Sequence, residues 1–119
     1  MKERRKFVRL NIPLEVSYTI QGTDQDPQRS VTKNISPNGA SFTVEEDSPK
    51  GTMFDINIRI PEQAEPIPIK AKIVWSQKEA EQEQASYNAG FEFIQIPENS
   101  KQMFFQYLCN FMYDQFKKL

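Results

Sequence analysis

The sequence predicts a mostly β protein, a six-stranded antiparallel barrel with one C-terminal α-helix. Three observations carry that expectation. Apolar side chains alternate with polar ones in several short runs, turn residues separate those runs, and near residue 97 the apolar period changes from two to the helical spacing. Strands with one apolar face each are best closed on themselves, because closure removes exposed edges.

The elements follow in order. Leu14, Val16, Tyr18 and Ile20 alternate with Glu15, Ser17 and Thr19. After a polar loop, "QGTDQDPQRS", a short strand is expected around Val31 to Ile35. The turn "SPNG" then leads into Ala40, Phe42 and Val44. Phe54, Ile56, Ile58 and Ile60 form the cleanest alternation. Ile67, Ile69, Ala71, Ile73 and Trp75 make the next strand, with Trp75 expected in the core and Pro68 placing its start at an edge or before regular pairing. Residues 77 to 86, "QKEAEQEQAS", read as a long exposed hairpin loop. The last strand carries Tyr87, Ala89, Phe91 and Phe93, with Gly90 marking a bulge or a close approach. After Pro97, Asn99 is expected to cap a helix with Gln102, and Phe104, Leu108 and Phe111 recur at helical spacing. The helix holds more aromatic surface than packing on one barrel requires. That excess points to a protein partner, including a homodimer through the helix.

Composition bounds the chemistry. The 119-residue chain fits one domain, and it has a single cysteine, Cys109, and no histidine. An intramolecular disulfide, a cysteine-based zinc site and a Ser-His-Asp triad are therefore excluded. The acidic pairs Asp24/Asp26 and Glu45 to Asp47 lack the spacing of a calcium loop. No set of acid, base and nucleophile converges, so no enzymatic activity is expected. No apolar run reaches the roughly 20 residues needed to span a bilayer, so membrane insertion is not expected and a cytoplasmic location is.

Charge is placed unevenly. Formal net charge is −1, yet residues 1 to 9 sum to +4 and include Arg4, Arg5, Lys6 and Arg9. Basic residues interleaved with aromatics are missing from the strands, so DNA or RNA is not an expected partner. Arg5 and Arg9 present two planar guanidinium forks, each able to grip a phosphate or a guanine edge and to stack on a base. Downstream, "NISPNGASF" offers Asn34 with donors and an acceptor, the Ser36 hydroxyl, and Gly39 where backbone can come close to a ligand or take positive φ.

In combination these stretches point further than either does alone. RxxxR at Arg5 to Arg9, followed by NxSxxG at Asn34, Ser36 and Gly39, resembles the PilZ family, receptors for the bacterial second messenger cyclic diguanylate (cyclic di-GMP). The strand ending in "IVW", the later "AGFEF" and the terminal helix extend the resemblance along the chain. It implies a stand-alone receptor with residues 1–12 as a flexible N-terminal arm bearing RxxxR, and 13–119 as the PilZ barrel plus helix. It also implies cyclic di-GMP as the ligand and no further cofactor. Arg5 and Arg9 would clamp phosphate and guanine, with Asn34 meeting the other guanine region and Ser36 and Gly39 completing the second motif. Arg4 adds a third guanidinium plane, which favours two mutually intercalated nucleotides per chain. The expected output is an arm that orders on binding and signals to a protein partner. The alternative is a PilZ-like interaction module that binds nucleotide weakly or not at all.

Overall fold

The structure is a computed structural model and describes residues 8–79 and 85–118. Six strands form in chain order: β1 (Glu15–Ile20), β2 (Gln28–Ser36), β3 (Gly39–Val44), β4 (Met53–Ile58), β5 (Ile67–Lys78) and β6 (Tyr87–Gln95). One helix, α1 (Glu98–Lys117), follows. Every strand pair is antiparallel, and the order β1-β2-β3-β6-β5-β4 closes on itself through β1 and β4.

The alternation read from the sequence produces this closure. Val16, Tyr18, Phe42, Phe54, Ile56, Ile69 and Ile73 point inward and are buried. Phe91 lies at the centre, its ring stacked on Phe42 at 4.4 Å and meeting Phe54 edge-on at 4.9 Å. Truncating such a ring to alanine costs about 3–5 kcal/mol. Phe104 and Leu108 are the buried residues of α1; they join the same core, Phe104 against Phe93 at 6.0 Å.

Several boundaries differ from the sequence reading. β2 begins at Gln28, inside the stretch read as loop, because Arg29 and Ser30 pair with Ser17 and Val16. The β5–β6 hairpin is shorter than residues 77–86: the ladder continues through Gln77, Lys78 and a bond from the Glu79 amide to the Ser86 carbonyl. Polar residues extend these strands because both of their faces lie at the surface. Pro68 pairs with Asn57 of β4, while pairing to β6 begins only at Lys70, so its missing donor falls on an open side as expected.

Asn99 does not cap the helix. Pro97 is the N-cap, and its carbonyl accepts the amides of Ser100 and Lys101 with no side-chain cap. The proline ring fixes φ at −54°, which sets the chain to enter the helix two residues earlier. Among the described residues no helix is long and apolar enough to cross a membrane.

Candidate functional site

Three bulges govern which side chains reach the outside of the barrel. In β2, Thr32 pairs with Phe42 but Asn34 pairs with Ser41, so two residues of β2 oppose one of β3. Thr32 points inward, and without the bulge Asn34 would follow it. The extra residue turns Asn34 outward and sends Ile35 into the core. It also explains why Val31 is exposed although it has the parity of Ile35. In β5, Ile73 pairs with Phe91 but Trp75 pairs with Gly90, and the same arithmetic turns Trp75 outward. The third bulge is in β6, where Ile94 is the extra residue between Gln95 and Phe93, the partners of Lys70 and Ala71 of β5.

Trp75 is therefore not a core residue. It is 43% exposed, and its indole lies over Gly90, where a Cβ would come 2.0 Å from Nε1. Gly90 is the close-approach site its position in the sequence predicts. Asn34, Ser41, Gly90 and Trp75 form one cross-strand row on the outer face, with the ring covering Gly90.

The N-terminal segment reaches this row. Leu10 makes two backbone bonds with Ile35, of 2.8 and 2.9 Å. Thr32 Oγ1 donates to the Ile12 carbonyl and accepts the Leu14 amide, and Ile12 is buried in the core. Residues 10 to 12, placed in the arm by the sequence reading, are thus fastened to β2, because apolar Leu10 and Ile12 bury beside it. Arg9, just ahead of this anchor, donates from Nη1 to Asn34 Oδ1 at 2.9 Å across 25 residues. Arg4 and Arg5 lie outside the described residues.

The other motif residues have structural duties. Ser36 is only 1% exposed; its Oγ donates to Asn38 Oδ1 at 2.7 Å and holds the turn before β3. Gly39 does not take positive φ. Its lack of a side chain serves packing instead, since a Cβ would meet the Phe91 carbonyl oxygen at 2.5 Å. The adjacent cation Lys33 is tied to Glu79 at 3.2 Å and to Asn88. Hydrogen bonds from Ser86 and then Lys33 hold the Glu79 carboxyl below its ordinary pKa, so the pair stays charged and Lys33 is directed toward the hairpin.

A row that ends in an amide–guanidinium pair on one side and an open indole on the other can seat a flat heterocycle bearing phosphate. Comparison with known proteins agrees with the fold: the family model of the PilZ domain matches residues 3–109. The chain belongs to the PilZ domain family.

Several solved structures resemble it, three of which follow. The Bacillus subtilis inhibitor of motility (MotI/DgrA) aligns with a TM-score of 0.74 and 20% identity, over 95% of this chain and 53% of that one. The PilZ domain of Escherichia coli YcgR with c-di-GMP gives 0.66 and 15%, over 98% and 96%. The K. pneumonia MrkH–c-di-GMP complex gives 0.76 and 12%, over 99% and 56%. This chain therefore spans about half the length of the MotI and MrkH chains and nearly all of the YcgR domain. Among curated proteins no match is found.

Of the two motifs, Arg9, Asn34, Ser36 and Gly39 lie among the described residues, and Arg9 and Asn34 are in direct contact. Sequence reasoning missed Trp75, whose even spacing from Ile73 hides the bulge. The available signal was Gly90, a glycine in a strand beside a tryptophan-bearing one.

Proposed function

We propose that this PilZ domain is a receptor for cyclic di-GMP, a binding module with no catalysis of its own. The observation that carries the reading is the Arg9–Asn34 hydrogen bond, which joins the arginine motif to the NxSxxG motif on one outer row of the barrel. Two of the structural relatives are described as bound to c-di-GMP.

In this reading Arg5 and Arg9 take phosphate and guanine, and the Arg9–Asn34 bond exchanges for bonds to the ligand. Ser36 and Gly39 keep the β2–β3 turn in place beneath it, and Trp75 offers a stacking face. Cyclic di-GMP carries two phosphates and two guanines, the groups guanidinium recognises bidentately. Arg4 serves a second, intercalated nucleotide. Residues 1 to 9 fold over the ligand from the anchor at Leu10, and that ordering is the signal passed to a protein partner in the cytoplasm.

Calorimetric titration of the whole chain with cyclic di-GMP tests the reading. Saturable binding in the micromolar range or tighter, roughly 8 kcal/mol, is expected. Arg5→Ala and Arg9→Ala should each cost about 2 kcal/mol, the scale of a lost charge-assisted contact. Folded protein that gives no saturable heat would overturn it and leave the alternative, an interaction module working through its helix and loops.

A further inference from the structure

Only the first half of α1 is spent on the barrel. Phe104 and Leu108 are buried and Phe111 partly so, whereas every described residue from 112 onward is exposed. Phe105, Cys109, Met112 and Phe116 form a second stripe with spacing 4-3-4, the period of a helix-pairing seam. At about 100° per residue this stripe lies about 100° around the helix from the one facing the barrel. Phe116 is 73% exposed and Phe105 and Met112 are about half exposed, so the seam is open.

The composition of the helix also indicates what fits it. From Gln102 to Tyr113 the helix carries no charged side chain. A charged partner would find nothing to pair with there, while a second copy meets no like-charge repulsion. Paired antiparallel about a point between Asn110 and Phe111, the seam matches itself: Phe105 faces Phe116, and small Cys109 faces long Met112, in both halves. The two helix dipoles then oppose, and the two barrels stand at opposite ends. Beside Phe105 lies a groove of about 640 Å³ between the helix and the β2–β3 turn, lined by Pro37, Ile96 and Gln102 among others. It is the space into which Phe116 of the second copy would project.

We propose that α1 pairs antiparallel with α1 of a second copy through Phe105, Cys109, Met112 and Phe116. Because Pro37 belongs to the turn held by Ser36, this pairing places the second copy against the turn that follows Asn34.

Sedimentation velocity of the full chain without nucleotide tests the pairing independently of the ligand. A concentration-dependent species of twice the chain mass is expected. Met112→Glu with Phe116→Glu should leave only monomer, with near-ultraviolet circular dichroism unchanged because both side chains are exposed; Phe116→Glu alone should weaken the dimer at least tenfold. Direction is read from spin labels on Lys117→Cys in a Cys109→Ser background. Antiparallel helices separate position 117 from its mate by about 20 Å along the axis, parallel ones by about 10 Å in total. Monomer at every concentration up to several hundred micromolar, a dimer insensitive to the glutamates, or the short spin distance would each overturn the proposal.

Discussion

Asn34 and Trp75 stand on the same outer row of the barrel, and each is put there by a bulge in its own strand. Without those two extra residues both side chains would point into a core that has no room for an amide or an indole. The bulges therefore do more than bend the sheet. They convert two inward positions into the two ends of a surface that Arg9 joins from the N-terminal side.

Trp75 is the sole tryptophan of the chain, so its fluorescence reports on this row alone. Cyclic di-GMP should quench or shift the emission along a saturable curve. Trp75→Ala should weaken binding about tenfold, the low end of base–aromatic stacking at about 1–3 kcal/mol. Unchanged emission at saturation would remove the ring from the site.

The two buried glycines should respond differently to alanine. At Gly39 the new methyl meets the backbone of Phe91, which cannot step aside, so Gly39→Ala should cost about 1–3 kcal/mol in chemical denaturation. At Gly90 it meets the exposed Trp75 ring, which can swing away. Gly90→Ala should therefore alter tryptophan emission and weaken the nucleotide more than it weakens the fold. Equal loss of stability in both variants would contradict the assigned contacts.

Arg4 sets stoichiometry in the proposed function. Calorimetry at concentrations well above the dissociation constant should give two nucleotides per chain, and Arg4→Leu should shift the ratio toward one while Arg5, Arg9 and Asn34 keep the first. A ratio near one for the unmutated chain would restrict the site to a single molecule.

Tyr18 offers a check on the core. Burial raises its phenol pKa above the ordinary 10.0, and its oxygen accepts the Glu45 amide at 3.1 Å. A raised folded pKa means that its contribution is complete below pH 10 and is lost as pH climbs through the folded value. Tyr18→Phe should cost about 1 kcal/mol at neutral pH and flatten the alkaline loss. Parallel pH profiles for both proteins would contradict this.

Much of the fold was legible because barrel strands keep one face wet: Phe54, Ile56 and Ile58 announced β4, and Gly90 announced its own close contact. The hidden parts share a cause. A bulge shifts parity without changing composition, so Trp75 looked like a core residue and Val31 gave no sign of facing out. Pro97 displaced Asn99 as cap because a backbone carbonyl does that work without a recognisable side chain. In the candidate site the two motifs singled out Arg9 and Asn34 separately, but their mutual hydrogen bond depends on the bulge that turns Asn34 outward, and the burial of Ser36 inside its own turn depends on Asn38 folding back; spacing alone reveals neither.

The most direct test is a nitrogen-15 correlation spectrum of the whole chain recorded during titration with cyclic di-GMP. The Arg9–Asn34 row predicts saturable shifts at Asn34, Ser41 and Gly90 and at the Trp75 indole N–H, with the outer face of β1 and β4 around Ser17 and Asn57 unmoved. Shifts confined to that opposite face, or none at saturating nucleotide, would contradict the account.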